Sequence, residues 1–192
     1  MNRKVVEVVV GLLMPALIQA QASTAARPEK EKEAPAMAVG APNANVESFA
    51  KHWTTAKDLA LAVAAAMPAE NYDFKPNPEE MSFGEQMMHI AQANYGYCAY
   101  ASDAKSPFVP LAKDAKVDKA EAAKQLGASF DYCTGVFAKV ADAQLDLAHG
   151  SGERKMSTRD LMWGVMIHMA HHRGQAEVYL RLKGIKPPDY KS

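Results

Sequence analysis

The chain has 192 residues, 48% of them hydrophobic, with 22 basic side chains balanced by 22 acidic ones. That length fills one sizeable core but not two, so one domain with appendages is expected. Without net charge, and without a basic run interleaved with aromatics, the electrostatic footprint of a nucleic-acid binder is missing, and nucleic acid is not expected as a partner.

Residues 1–22 begin with Arg3 and Lys4, continue through an apolar stretch from Val5 to Ile18, and end on the small-residue pattern Ala20-Gln21-Ala22. This is the layout of a secretory signal peptide and predicts an exported protein, periplasmic or secreted. Glu7 interrupts the apolar stretch, which is also short for a membrane span; stable membrane integration is not expected, and an uncleaved anchor is the competing reading. Residues 23–44 are dominated by Ala, Pro, Glu and Lys, too poor in large apolar side chains to pack, and read as a disordered linker.

From residue 45 to residue 190 the pattern is that of an all-α four-helix bundle. Val46, Phe49, Trp53, Ala56, Ala60, Val63 and Met67 recur at steps of three and four, the stripe of a first helix that Pro68 ends. After a proline-rich connection, Ser82 and Glu85 form a capping box that opens a second helix running to about Ala101. A second long connection could carry the chain back along a neighbouring helix. The third helix is expected from about Asp118 to Leu147, with Leu126, Phe130, Cys133, Phe137 and Val140 on one face, and His149, Gly150 and Gly152 mark the turn after it. The fourth opens at Ser157, with Asp160 three residues on, and closes at Gly184 before Pro187 and Pro188. No strand is expected. Cys98 and Cys133 fall on the second and third helices; a disulfide would suit an oxidising compartment, but cysteines on such faces commonly pack as small hydrophobes, so buried thiols are expected.

The fourth helix places His168 and His172 at consecutive positions of its apolar stripe. Residues four apart stack on one helix face, so the two imidazoles can share a cation. Two ligands make a weak site, and His89, mid-way along the second helix, is the candidate third. A single inward histidine is commonly just a hydrogen-bonded core residue, whereas a cluster of them without a ligand carries a desolvation cost. His171 could replace His172 but lies more laterally and is assigned to the rim; His52 and His149 are expected at the surface. An H-E-x-x-H motif is absent, since Met169 follows His168, and the Glu85 to His89 spacing is one residue too long for a di-iron bundle.

Three neutral imidazoles leave a divalent ion its full charge and an open position, the arrangement of a catalytic site. Water bound there would be acidified toward a pKa of about 7 and could attack an electrophile; a bound thiol would likewise be deprotonated. Zinc is the default ion, with nickel, copper, iron or manganese also suited to such donors. Glu85, Gln175 and Tyr179 are the candidate catalytic helpers, although capping is the simpler role for Glu85. Gln86 lies beside His89. Gly96 and Gly164, each costing roughly 1 kcal/mol against Ala in a helix, suggest close packing or open space near the ion. Arg173 is expected to pair with a carboxylate at the surface.

The run HMAHHRGQAEVYLRLKGIKPP from His168, the run MSFGEQMMHIAQANY from Met81 and the NYDFKP before it resemble the DinB-like superfamily, damage-inducible metal-binding bundles unrelated to the polymerase of that name. The resemblance implies an up-down-down-up bundle and a divalent metal on His89, His168 and His172. It also implies that the relatives include metal-dependent hydrolases and thiol S-transferases using low-molecular-weight thiols. The export segment weighs against S-transfer, because such thiols are chiefly cytosolic. The expectation is therefore an exported metal-dependent hydrolase acting on a small-molecule substrate; the alternatives are an S-transferase and a non-catalytic metal-binding stress protein. A homodimer is compatible with all three.

Overall fold

The computed structural model describes residues 43–112 and 115–190. The expected signal peptide and all but the last two linker residues lie outside the described residues. Four helices carry the fold: α1 (Ala44–Ala66), α2 (Phe83–Ala101), α3 (Lys119–Phe137) and α4 (Thr158–Leu182).

Each helix starts where its capping chemistry puts it. The Ser82 hydroxyl accepts from the Glu85 amide at 3.2 Å while the Ser82 amide donates to the Glu85 carboxylate at 2.6 Å. Ser157 and Asp160 repeat this box at the head of α4, and Asp118 caps α3 through the Glu121 amide. These bonds satisfy donors that a helix start otherwise leaves orphaned. Gly184, at φ 74°, terminates α4 in the left-handed region, and the Ile185 amide folds back onto the Leu180 carbonyl.

The side-chain pairings fix the helix directions. Asn94 bonds Ser129 and Cys98 is joined to Cys133, so positions rise together along α2 and α3 and the two helices run parallel. Trp53 reaches Thr134 whereas Lys119 reaches the carbonyls of Ala65 and Met67, which makes α1 and α3 antiparallel. Tyr179 bonds the Met81 carbonyl and His172 bonds Gln86, while Tyr97 lies beside His168; α4 is therefore antiparallel to α2. The order is up-down-down-up, and the long connection between α2 and α3 is the return that parallel neighbours require.

Phe49, Trp53, Phe130 and Phe137 interlock where α1 begins and α3 ends, with ring centroids 5.0 to 6.1 Å apart. Leu126 and Phe130 are wholly buried, each contributing roughly 1.5–3 kcal/mol by removal from water. Met87, Met88, Met162 and Met169 fill the same core.

The structure departs from the sequence reading in four places. The third helix ends at Phe137, not near Leu147. Beyond it Asp142 is drawn away to the head of α1, where its carboxylate accepts from the amides of Asn45 and Val46 at 3.0 and 2.9 Å. Past Phe137 the chain tightens into three-residue turns, the Lys139 amide donating to the Val136 carbonyl and the Val140 amide to the Phe137 carbonyl, and the α-helix does not resume. The turn before α4 contains a two-residue hairpin, β1 (Ala148–His149) antiparallel to β2 (Met156–Ser157), where no strand was expected. His149 is buried rather than exposed: its Nδ1 lies 3.1 Å from both carboxylate oxygens of Asp103 and its Nε2 lies 2.9 Å from the Thr158 hydroxyl. The hairpin folds it against the end of α2, where two polar partners offset its desolvation. Finally, Cys98 and Cys133 form a disulfide, with Cα atoms 5.3 Å apart, instead of packing as thiols. The parallel pairing of α2 and α3 brings them into register at bonding distance.

Candidate metal centre

His89 comes from the middle of α2, and His168 and His172 from successive turns of α4. Because the two helices run antiparallel in direct contact, the three imidazoles meet between them. One ring nitrogen from each lies within 4.8 Å of the other two. Ring centroids are 4.9 Å apart for His89 and His168, and 4.5 Å apart for each pair involving His172.

The Nδ1 of His172 lies 2.8 Å from the Gln86 amide oxygen. That oxygen can only accept, so the proton belongs on Nδ1 and the lone pair on Nε2 is left free. Orientation of a ligating imidazole by a hydrogen bond on its other nitrogen is the usual support for a metal site. Gln86 was noted in the sequence only as a neighbour of His89; antiparallel packing makes it the partner of His172 instead.

The donor set fits a cation. Burial, and then the neighbouring positive imidazoles, push the His172 pKa down to about 4, and the same causes lower that of His168. Both rings are therefore neutral, and able to ligate, at ordinary pH. His168 Nδ1 and Gln175 Oε1 are buried without a hydrogen-bond partner, an arrangement that costs about 1–3 kcal/mol for each such group. A divalent ion on the cluster would offset part of that cost.

The other candidates separate. Glu85 is exposed, engaged in the capping box and paired with Lys75 at 3.1 Å; the Ser82 amide first, with help from Lys75, lowers its pKa. It is a helix cap poorly placed to act as a base. The Tyr179 hydroxyl donates to the Met81 carbonyl and so braces the approach to α2. Gln175 lies one turn beyond His171 and His172, its oxygen buried and interacting with the His172 ring. His171 is exposed at the rim, its ring 4.9 Å from that of His172, and His52 is exposed as expected. Arg173 lies 3.6 Å from the Glu177 carboxylate.

An open cleft of about 720 Å³ adjoins His89. Its walls are largely apolar, from Ala93, Gly96, Tyr97 and Phe108 to Met156 and Leu161. The two helical glycines have opposite reasons. A side chain at Gly96 would meet nothing within 4 Å, so this glycine leaves the cleft open; a Cβ at Gly164 would come within 2.8 Å of the Tyr97 ring, so that glycine lets the ring pack against α4. Tyr97 itself, 6.2 Å from the His168 ring, carried no sequence signal beyond these glycines.

A four-helix bundle with three clustered histidines beside an open cleft defines a class of small helical proteins whose histidines could hold a cation. The chain belongs to the DinB superfamily, whose family model matches residues 52–176. Its fold is shared with a DinB-like protein of Bacillus subtilis, at 23% identity and a TM-score of 0.61 over 76% of this chain and 98% of that one. A DinB-like protein of Bacillus cereus matches at 17% identity and a TM-score of 0.65, covering 76% of this chain and 97% of the other. No functionally curated protein matches the chain.

Proposed function

We propose that the protein is a metal-dependent hydrolase of small molecules, with a divalent ion held by His89, His168 and His172. The observation that carries the reading is the convergence of three imidazoles from two helices, one of which, His89, lines an open, largely apolar cleft. When bound, the ion supplies Lewis acidity and makes a water molecule acidic enough to serve as a nucleophile near neutrality. The chain's own groups do the positioning. Gln86 fixes the tautomer of His172, the burial of His168 and His172 keeps them unprotonated, and the walls of the cleft exclude water from an apolar substrate body. Zinc remains the default ion, with nickel, iron or manganese compatible with the same donors.

Export is part of this proposal. The Cys98–Cys133 disulfide supports an oxidising compartment, since disulfides persist outside the reducing cytosol, and this weighs against a cytosolic thiol as co-substrate. No helix among the described residues is long and apolar enough to cross a membrane. The exposed apolar line of Trp163, Ile167, Val178 and Leu182 along α4 is compatible with a homodimer.

The test is elemental analysis of the purified protein beside His89→Ala and His172→Ala, with a screen of ester, amide and thiol-conjugation substrates. The proposal expects about one divalent ion per wild-type chain, loss of that ion in both variants, and metal-dependent hydrolysis. Metal without turnover of any substrate would leave a metal-binding protein and remove the hydrolase, and turnover of thiol conjugates alone would point to S-transfer.

A further inference from the structure

The cleft has two chemically different ends. His89 lies at one, while the other is formed by Tyr100 of α2 and by Glu153 and Arg154 of the turn between the hairpin strands. Tyr100 is eleven positions beyond His89, about 16 Å along the helix at 1.5 Å per residue. Between them the wall is mostly apolar, with Gln92 and Ser106 as its polar members.

The far end is built, not incidental. The Tyr100 hydroxyl donates to the Arg154 carbonyl at 2.7 Å and ties the turn to α2. Gly150 permits this: its φ is +71°, and a Cβ there would collide with the Tyr100 hydroxyl. The lining at this end supplies one cation and one acid, Arg154 and Glu153, with Lys155 and Lys105 next to lining residues in the chain. Among the described residues, Lys105, Arg154 and Lys155 take part in no ion pair, and Glu153 is the one unpaired acid in the turn, the nearby Asp103 being engaged by His149. Arg154 lines this end of the cleft and is exposed, and a guanidinium in no ion pair suits a carboxylate or phosphate oxygen.

We propose that the cleft takes an elongated molecule with an apolar body whose reacting head lies at the histidine cluster and whose far end carries an anion held by Arg154. Tyr100 and Gly150 are positioning residues that fix the turn carrying Arg154, and Glu153 moderates the binding by repulsion. The inference rests on the reading of the three histidines as a metal site.

The test uses the zinc-loaded full chain and two hydroxamate probes, the monohydroxamic acid of decanedioic acid and decanohydroxamic acid, with affinities from titration calorimetry. The hydroxamate head seeks the ion in both probes, and only the first has a carboxylate tail. Arg154→Gln should weaken the carboxylate probe by about fivefold, near the upper limit for an exposed ion pair, and Glu153→Gln should tighten it; neither should change decanohydroxamic acid. Added salt should narrow the differences. Gly96→Phe, at a position where an added Cβ meets nothing within 4 Å, should weaken both probes while circular dichroism stays that of the wild type. If both probes bind only with metal and the two charge variants leave their affinities unaltered, the anionic end is overturned and the metal site stands. If neither probe binds the loaded protein, the cleft reading falls and this inference with it; if both bind His172→Ala as well as they bind the wild type, the metal reading falls as well.

Discussion

Removing the Cys98–Cys133 bridge tests how the bundle is held together and where it is made. The bond closes a loop with a sequence separation of 35 and ties the C-terminal turns of α2 and α3. Treating the effect as loop-closure entropy lost from the unfolded chain gives a stabilisation of about 3.8 kcal/mol at 25 °C for a loop of that length. Both cysteines are wholly buried, so reductant should reach the bond only when the protein opens. The Cys98→Ala/Cys133→Ala variant is the cleaner perturbation. For a domain of this size, a loss of about 4 kcal/mol should lower Tm by roughly 8–16 °C. Urea unfolding should show a lower midpoint together with a steeper dependence on denaturant, because the unfolded chain without its cross-link exposes more surface. An unfolding free energy within about 1 kcal/mol of wild type would refute the entropic argument. Two titratable thiols in native protein recovered from an oxidising compartment would refute the bond itself.

Gln86→Leu should lower metal affinity by about 10- to 100-fold with the fold intact, because His172 loses the bond that orients it; competition with a chromogenic chelator measures this, and an unchanged affinity would remove Gln86 from the site. The lowered pKa of His172, about 4, and that of His168 set the pH dependence of the metal-free protein. A histidine protonated more readily in the unfolded chain gives stability that is fully present above the ordinary value of about 6.5 and declines as pH falls toward about 4. Thermal unfolding of the apo protein over that window should follow this sign, and metal should be released lower in pH than free imidazole would predict; a flat apo profile would contradict the burial of these rings. Gly164→Ala gains about 1 kcal/mol of helix propensity but places a Cβ 2.8 Å from the Tyr97 ring. The fold should survive with the ring displaced, and a crystal structure with Tyr97 unmoved would refute the close-packing account. Chelation should lower Tm without unfolding the protein, since metal stabilises by mass action a core that the helices already supply; complete unfolding on chelation would show that the core depends on the ion.

The sequence by itself determined what is local or periodic. Ser82 with Glu85 and Ser157 with Asp160 announce two helix starts because a capping box is a contact across three residues. Gly184 announces an end, and the stripe from Val46 to Met67 announces a buried face. The spacing of His168 and His172 determined that two imidazoles share one side of α4, since the helical repeat alone places them there. What joins segments distant in the chain was decided by packing. Gln86 meets His172 only because α2 and α4 run antiparallel, and Cys98 reaches Cys133 only because α2 and α3 run parallel. Asp142 caps α1 only because the chain after α3 packs beside the head of that helix, and His149 is buried because the hairpin carries it to Asp103 and Thr158. In each case the deciding partner lies more than eight positions away in the chain, at a distance set by how four helices share one core, and no local pattern encodes that distance.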